Sequence, residues 1–436
     1  MKKLKEIKNN ELFYNGYSLK DLAKKYGTPL KITFLDVIKE HIESLKNSFD
    51  KAINKLNYNG KFIYLNANKA NYGASEVIKA FKASDGLETS SYYDLLFTHK
   101  LFNMYPDHNK KYIVANGYKL DDYIGEIVKI HLEGLKIIDI IDSLSEYEAL
   151  KKTGLNLEVG LRIHLKAAYT EEGDVIENDR FGLNDDEFNY ILDDIKNTNL
   201  VLSTIHFHQR GFDYEEDKFS INFEKVFNDY YVKAAKLYPS VCNFDMGGGT
   251  PLPINEGFDY DGWCYYVINK LIKLCSKFKV REPNLISENG KYSQKDSTVN
   301  IYKVVGIKNT DKYPWHIVDG SLLIAMPEMY ALGEPIEVRP INGLDKEMVK
   351  SFLAGITCDC DDVYYEKDKG YILLPKEDEL YIGLMGTGSY QNSMNGKGGV
   401  HHCLLPEETD LVIEDGKMFL RSHLQTIEDI YKLMKL

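Results

Sequence analysis

Short apolar runs alternate with segments of helical period between residues 61 and 290. Eight runs rich in β-branched and aromatic residues have the pattern of buried strands: Phe62–Asn66, Gly86–Thr89, Tyr112–Asn116, Lys136–Ile141, Leu157–His164, Val201–His208, Cys242–Met246 and Leu285–Glu288. Amphipathic helical segments fall between them, including Ser75–Phe81, Leu120–Ile130, Glu187–Lys196, Phe223–Leu237 and Tyr260–Phe278. This alternation predicts parallel βα units, and eight such units predict an α/β fold with a closed (β/α)₈ barrel of TIM type.

The rest of the chain predicts a second, mostly β domain. Five strand-like runs follow the barrel: Val299–Ile307, His316–Asp319, Ile336–Arg339, Tyr371–Leu374 and Leu380–Leu384. We therefore expect the barrel at residues 36–294 and a β domain built from residues 1–35 plus 295–436, which contributes to the active site. The last segment, Leu424–Leu436, has the pattern of an amphipathic helix.

Charge and cysteine content narrow the class of protein. The formal net charge of −12 argues against nucleic acid, whose phosphates require a basic surface. No run of eighteen apolar residues exists, so no membrane span is expected, and the polar, lysine-rich first ten residues predict a cytoplasmic protein. The six cysteines do not form a disulfide pattern. Cys358 and Cys360, with His401, His402 and Cys403, could suggest a zinc site, but they are not spaced like zinc knuckles, so no metal is expected.

Polar side chains cluster at the predicted strand ends, where (β/α)₈ barrels carry their chemistry. Lys69 follows the first strand, Arg162 lies in the fifth, His208 ends the sixth and Glu288 ends the eighth. The loop after the seventh strand contains three consecutive glycines, Gly247–Gly249. Each feature alone has an ordinary explanation as a surface charge, a structural histidine or a tight turn.

Together these residues indicate a site for pyridoxal phosphate (PLP). Backbone N–H groups of a glycine loop after strand seven can hold a phosphate. The Lys69 amine can form an imine with the cofactor, and the Glu288 carboxylate can keep the pyridine nitrogen protonated. The sequence therefore predicts a PLP enzyme with Lys69 as the covalent anchor.

These motifs, in this order, resemble the fold-type III PLP-dependent decarboxylases, which act on diaminopimelate, ornithine or arginine. The resemblance covers nearly the whole chain, from Tyr26 to about Met394. It implies that His208, in the motif His206-Phe207-His208, stacks on the cofactor ring. It also implies that phosphate is bound by the Gly247–Gly249 loop and by the tyrosine of Gly388-Ser389-Tyr390.

The β-domain motif Thr357-Cys358-Asp359 resembles the family's Thr-Cys-Asp. The resemblance implies that Cys358 is a proton donor and that Asp359 binds the distal amine of the substrate. Both residues reach the site from a partner subunit in the family, so a homodimer with shared active sites is expected.

Two positions depart from the family pattern. Arg210 and Gly211 stand where the family has Gly-Ser, so Arg210 is expected to take over a phosphate contact. In Glu288-Asn289-Gly290-Lys291, which resembles Glu-Pro-Gly-Arg, Lys291 keeps the charge but loses the bidentate fork of arginine. We count Arg162 and Gly290 among the cofactor-binding residues as well.

The arginine branch of the family matches in most detail, since Asn116-Gly117-Tyr118-Lys119 resembles its Asn-Gly-Tyr-Lys stretch. Diaminopimelate decarboxylases place an arginine where this chain has Met326, so a distal carboxylate is not expected on the substrate. The predicted substrate pocket is acidic or polar and consists of Asp359, Asp361 (or Asp362), Glu328 and Tyr330.

Acidic groups suit a basic amino acid, and we rank arginine first, before lysine or ornithine of either hand. The product amine would belong to polyamine biosynthesis. The alternatives are a fold-type III racemase, a single-domain PLP-binding regulator and a decarboxylase-like protein that only binds partners.

Overall fold

The computed structural model describes residues 3–165, 168–169, 175–176, 180–209, 216–252 and 258–436. The chain divides into two compact units. The barrel unit consists of Lys39–Lys69 and Val77–Ser293, and the β unit consists of Met1–Ile38, Ala70–Glu76 and Gln294–Leu436. The segment Ala70–Glu76, which the sequence analysis placed in the barrel, therefore groups with the β unit.

Eight parallel strands close the barrel, as predicted. Barrel strands 1 to 8 are Phe62–Ala67, Gly86–Thr89, Tyr112–Ala115, Lys136–Ile141, Glu158–Arg162, Val201–His206, Asn243–Asp245 and Asn284–Glu288. Closure is made by barrel strand 8, where Leu285 pairs with Phe62 and Glu288 with Leu65. Barrel strands 5 and 6 end two residues earlier than the pattern predicted, so His208 lies in the loop after barrel strand 6.

Helices alternate with these strands, in the order that parallel connections require. The α-helices of this part of the chain are Leu35–Leu56, Ala74–Ala83, Tyr92–Met104, Asp121–Leu132, Leu144–Lys152, Asp185–Asp194, Glu216–Val226, Val232–Leu237, Tyr260–Phe278 and Lys291–Gln294, with a π-helical turn at Phe227–Tyr231 and a two-stranded ribbon of Ala168–Tyr169 and Val175–Ile176. Capping side chains stabilise the N-termini of several of these helices. Ser91 accepts a hydrogen bond from the Asp94 amide, and Asn184 forms a capping box with Glu187.

Apolar side chains fill the barrel interior. Ile63, Leu65, Val114, Ile138 and Ile286 are buried together inside it. Since both faces of a parallel barrel strand are covered, the strands are continuous apolar runs that end in polar residues. This pattern leaves the strand ends as the positions where buried polar groups meet.

The β unit is built around a ten-stranded sheet. Its strands are Leu30–Phe34, Thr298–Lys308, Trp315–Val318, Glu337–Pro340, Met348–Ala354, Val363–Tyr364, Ile372–Pro375, Tyr381–Met385, Thr409–Glu414 and Lys417–Ser422. A three-stranded sheet, Lys5–Lys8, Glu11–Tyr14 and Tyr17–Ser18, precedes the helix Leu19–Tyr26. The other helices are Leu322–Ala325, Pro327–Leu332, Gln391–Asn395 and Ile427–Met434. Short 3₁₀ turns occur at Asn68–Ala70, Pro106–His108, Ile195–Asn197, Lys295–Ser297 and His402–Leu404.

None of the described helices has both the length and the apolar character needed to cross a membrane.

Candidate active site

Lys69 lies in the turn Asn68–Ala70 that directly follows barrel strand 1. Asn68 fixes this turn, because its Nδ2 donates to Asp94 Oδ1 and to Thr98 Oγ1, each at 3.0 Å. Lys69 Nζ donates to Glu88 Oε1 at 3.3 Å. The Glu88 side chain is fully buried, whereas that of Lys69 is 38% exposed. The turn therefore presents a primary amine that is hydrogen-bonded to a buried carboxyl group. We call the strand ends that carry Lys69, Glu88, Asp245 and Glu288 the barrel rim.

Glu288 ends barrel strand 8 and belongs to the same polar network. Asn116 Nδ2 donates to Glu288 Oε1 at 2.8 Å and to Glu88 Oε1 at 3.0 Å. His206 Nε2 lies 3.5 Å from Glu288 Oε2. Burial alone would raise the pKa of Glu288, but the charge and hydrogen bond of His206, with Lys69 and Asn116, lower that pKa to about 2. Glu288 is consequently ionised at neutral pH.

Asp245, at the end of barrel strand 7, has the opposite protonation. Ligand atoms of His206, Asp245 and Glu288 all lie within 4.8 Å of one another. Burial, followed by the negative charge of Glu288, raises the pKa of Asp245 well above its usual range. One carboxyl group holds a proton and the other holds the charge, an arrangement that suits a single N–H⁺ donor.

The glycine loop approaches this network closely. Gly247 and Gly249 have φ angles of 66° and 97°. A Cβ atom on Gly247 would lie 2.6 Å from His208 Nδ1, and one on Gly248 would lie 2.6 Å from the Glu288 carbonyl oxygen. Glycine is therefore required at both positions, and the loop offers backbone atoms where other residues would place side chains.

His208 is held neutral beside this loop. Burial, followed by the charges of Lys69 and Arg162, lowers the pKa of His208 to about 3. The Gly248 amide donates to His208 Nδ1 at 3.3 Å, so the remaining proton of the ring is on Nε2. A neutral, oriented imidazole beside the glycine loop can pack against an aromatic ligand.

The remaining predicted residues of the barrel unit lie near its strand ends. The Cζ atom of the Arg162 guanidinium lies 4.5 Å from the centre of the Phe181 ring, and its Nε lies 4.0 Å from Asp142 Oδ1. Gly290 is buried and Lys291 begins the short helix Lys291–Gln294. Arg210 lies outside the described residues, so its phosphate contact stays a prediction.

Two loops of the β unit hold the second group of predicted residues, and we call residues 355–362 and 401–405 the thiol loops. The fully buried Asp362 organises the first loop, because it accepts hydrogen bonds from Thr357 Oγ1 at 2.6 Å and from the Leu323 amide at 3.0 Å. Asp359 Oδ1 accepts from the Asp361 amide at 2.9 Å. Asp362 is thus committed to loop structure, while Asp359 and Asp361 remain partly or fully exposed.

Cys358 and Asp359 each meet a residue of the second thiol loop. Cys358 Sγ lies 3.6 Å from Cys403 Sγ, and Asp359 Oδ2 lies 3.2 Å from His402 Nε2. The hydrogen bond with Cys403, and then its charge, raise the pKa of the Cys358 thiol. Cys358 is therefore an exposed thiol that keeps its proton at neutral pH.

Glu328 and Tyr330 are engaged in the structure of the β unit. Gln391 Nε2 donates to Glu328 Oε2 at 3.1 Å, and the Tyr330 hydroxyl donates to the Val363 carbonyl at 2.8 Å. The Tyr390 amide donates to the Ala70 carbonyl at 2.7 Å, which fixes Tyr390 to the segment that continues directly from Lys69.

Within the barrel unit the structure brings together Lys69, Glu288, His208 and the Gly247–Gly249 loop, and within the β unit it holds Cys358 beside Asp359 in one loop. Four residues that complete the barrel network had no role assigned from sequence: Glu88, Asn116, His206 and Asp245. Their position at strand ends was visible, and this position is the signal that could have identified them. Contacts made by His402 and Cys403 join segments far apart in the chain; the sequence grouped both residues with Cys358 only as a zinc set, which their spacing disfavoured.

Curated relatives of the chain include biosynthetic arginine decarboxylases. The chain is 24% identical over 311 residues to a biosynthetic arginine decarboxylase of Prochlorococcus marinus, with 65% of this chain and 46% of that protein covered. It is 24% identical over 325 residues to the one of Shewanella frigidimarina, covering 66% and 49%. The chain therefore spans about half the length of these curated relatives. A comparison with models of protein families gives no match.

Solved structures share the fold over nearly the entire chain. The biosynthetic arginine decarboxylase SpeA from Campylobacter jejuni has a TM-score of 0.84 at 19% identity and covers 99% of this chain and 90% of its own. A diaminopimelate decarboxylase from M. jannaschii in complex with L-lysine has a TM-score of 0.80 at 22% identity, covering 98% and 96%. The resemblance seen in the motifs is confirmed: in sequence the chain is similar to biosynthetic arginine decarboxylases, and its fold is that of SpeA and the diaminopimelate decarboxylases.

Proposed function

We propose that the chain is a PLP-dependent decarboxylase of a basic amino acid, with arginine as the first candidate. The observation that carries the proposal is the network on the barrel rim, in which the Lys69 amine and the ionised Glu288 are linked through Asn116 and Glu88. These are the groups that PLP requires, an amine for its aldehyde and a carboxylate for its pyridine nitrogen.

The residues of the rim fit the cofactor on physical grounds. Glu288 is ionised and lies beside the protonated Asp245, so it would favour a protonated ring nitrogen. The loop Gly247–Gly249 has no side chains, and with Gly290 it would accept a phosphate. Positive charge for that phosphate would come from Lys291, Arg210 and Arg162, and Tyr390 would donate a hydrogen bond. His208 would pack on the ring.

PLP, when bound, supplies an electron sink for the electron pair that stays on Cα when CO₂ leaves. Residues of the chain would anchor the cofactor and transfer the protons. Lys69 would hold the cofactor covalently, and its neighbour Glu88 would accept a hydrogen bond from the amine. Cys358 would return a proton to the substrate Cα, a role that suits a thiol whose pKa is raised.

The substrate class follows from the acidic side chains of the first thiol loop. Asp359, supported by Asp361, would bind a distal amine or guanidinium. Glu328 and Tyr330 were predicted to bind substrate directly. Because their hydrogen bonds lie within the β unit, we now propose that they shape the pocket. Met326 is fully buried and apolar, so it offers nothing to a distal carboxylate.

Arginine is favoured over lysine and ornithine by the names of the curated relatives, and the lysine complex of one structural neighbour supports a basic amino acid in general. We further propose a homodimer with shared sites, in which Cys358 and Asp359 are supplied by the partner subunit. A cytoplasmic location is proposed as well, because free thiols such as Cys358 and Cys403 suit a reducing compartment.

A substrate panel tests this function. The purified protein is loaded with PLP and given L- and D-arginine, lysine, ornithine and meso-diaminopimelate, and released CO₂ and product amine are measured. We expect CO₂ from arginine above all others. CO₂ from diaminopimelate alone would overturn the substrate class. Loss of optical activity without CO₂ would show a racemase, and no reaction despite bound PLP would favour a binding protein.

A further inference from the structure

Two exposed thiols face each other across the thiol loops. Cys358 and Cys403 are 45 positions apart in the chain, and their sulfur atoms are 3.6 Å apart. The second loop holds Cys403 in an unusual conformation, since Cys403 and Leu404 have φ angles of 55° and 51°. Residues with side chains adopt this region rarely and at a cost. This strained turn carries the thiol that lies beside Cys358.

A second contact joins the same two loops. His402 Nε2 lies 3.2 Å from Asp359 Oδ2, so neighbouring residues on each loop are paired side by side. Asp362 anchors the first loop through Thr357 and Leu323. The two sulfur atoms therefore approach each other between loops that are also joined by the contact of His402 with Asp359, and the first of these loops is anchored by a buried carboxyl group.

We propose that Cys358 and Cys403 are a reversible modification site, which a small-molecule disulfide such as oxidised glutathione converts into an intrachain disulfide. The loss of activity that we expect from this bond rests on the proposed function, because it removes the thiol assigned as proton donor. Formation of the bond itself rests only on the geometry of the thiol loops.

The chemistry is a two-step exchange. The thiolate of one cysteine attacks a sulfur of the small disulfide, breaks its S–S bond and releases one small thiol. The second cysteine then attacks the protein sulfur of the mixed disulfide and releases the other small thiol. Two protein thiols are oxidised, the S–S bond of the oxidant is reduced, and the two protons lost by the cysteines leave on the two small thiols.

The required movement is small. A disulfide has an S–S length of about 2.05 Å, so the two sulfur atoms must approach by about 1.5 Å from their separation of 3.6 Å. Both side chains are exposed in the single protomer. Cys360 is exposed in the same loop, but the groups that lie near its Sγ are the carboxylates of Asp359 and Asp361. It provides a matched control.

The consequence for function is a switch at the proposed proton donor. In the oxidised state Cys358 has no S–H bond, and the first thiol loop, which carries Asp359, is tied covalently to the second. Intracellular disulfides of this kind are transient and are reversed by cellular dithiols. The redox state of the surroundings would then set the fraction of active enzyme.

The test combines mass spectrometry with activity on the PLP-loaded enzyme. Wild-type protein, Cys403→Ser and Cys360→Ser are incubated with oxidised glutathione, freed of reagent and analysed intact and as unreduced peptides. We expect wild type and Cys360→Ser to lose two hydrogens, to yield a cross-linked peptide pair containing residues 358 and 403, and to retain no glutathione on either cysteine. Cys403→Ser should instead retain one glutathione on Cys358, because the Cys403 thiol that would displace it is absent.

Activity is measured on the same samples and expressed relative to each variant before oxidation. Oxidised wild type should lose at least nine-tenths of its activity, on the order of tenfold, and dithiothreitol should restore it. A stable glutathione adduct on wild-type Cys358, or a cross-link that disappears in Cys360→Ser, would overturn the modification site. A cross-link between 358 and 403 that leaves activity unchanged would overturn the switch and remove Cys358 from the proposed reaction.

Discussion

The barrel rim and the thiol loops place reactive side chains by opposite means. On the rim, Glu88, Asp245 and Glu288 are buried at the ends of strands whose register is fixed by the barrel. In the thiol loops, Cys358 and Cys403 are exposed, and their positions depend on one buried carboxyl group and a strained turn.

This difference determines how each region controls protons. Burial and nearby charges on the rim move the pKa values of two adjacent carboxyl groups apart, so that Asp245 keeps a proton and Glu288 keeps a charge. In the thiol loops the pKa of Cys358 is raised chiefly by one neighbouring thiol, which can be lost or oxidised. The comparison indicates a permanent electrostatic site on the rim and an adjustable one in the loops.

The largest effect is expected at Lys69. Lys69→Ala should reduce decarboxylation to the background rate and abolish covalent trapping of PLP, because the rim then offers no amine at this turn. Borohydride reduction of the wild-type holoenzyme followed by peptide mapping should label Lys69. Lys61→Ala, at the opposite end of barrel strand 1, is the control and should retain activity; a label on another lysine would refute the assignment.

Glu288→Gln should be the next most severe change. A neutral amide cannot favour a protonated pyridine nitrogen, so kcat should fall roughly 10²- to 10³-fold while PLP remains bound. Steady-state kinetics and cofactor absorbance measure the two properties separately. Glu158→Gln changes a carboxylate at the start of barrel strand 5 and should have little effect. A nearly normal kcat for Glu288→Gln would exclude Glu288 from this role.

Mixing of inactive variants tests whether the rim and the thiol loop act across a dimer. Lys69→Ala and Cys358→Ala are each expected to be inactive or nearly so. After random subunit exchange between equal pools, about a quarter of wild-type activity should return, because half of the dimers have one intact site of two. Native mass spectrometry verifies the exchange. Absence of recovery despite mixed dimers would mean that both residues act within one chain.

A smaller, purely structural effect is expected at His41, which is buried in the barrel unit with Nδ1 3.3 Å from the Tyr292 carbonyl. Burial lowers the pKa of His41 from 6.5 to about 4. As the pH falls, His41 therefore binds a proton in the unfolded chain before it does so in the folded chain. The free energy of unfolding consequently keeps this contribution above pH 6.5 and loses it as the pH falls toward 4. The loss is about 2 to 3 kcal/mol by pH 4.5.

Urea unfolding at pH 7 and pH 4.5 measures this contribution. His41→Leu should show a smaller loss of unfolding free energy on acidification than wild type, although its stability at pH 7 changes. His131→Gln, at a partly exposed histidine of the same unit, should keep the wild-type pH dependence. Equal losses in wild type and His41→Leu would contradict the assignment.

The barrel could be predicted from sequence because its strands are continuous apolar runs closed by polar residues. Lys69 and Glu288 were placed correctly at strand ends for that reason. His208 was expected at the end of its strand but lies two residues beyond it, because pairing of barrel strand 6 stops at His206. The final register of a strand depends on its neighbours, which local pattern does not show.

The β unit was harder to predict because its sheet joins distant segments. Leu30–Phe34 pairs with both Thr298–Lys308 and Thr409–Glu414, and neither the first nor the last of these strands was expected. The same reason applies to the thiol loops. Cys358 was found through its motif, whereas its partner Cys403 is set by the fold of a loop 45 positions away.

The central claim is tested most directly by NMR of the PLP-loaded protein with L-arginine labelled with ¹³C at its carboxyl group, in D₂O. The account predicts transfer of the label to CO₂ and bicarbonate, with one deuterium at the former Cα of the product amine, and neither change with Lys69→Ala. Retention of the labelled carboxyl group, with or without exchange of the Cα proton, would contradict decarboxylation of arginine by this chain.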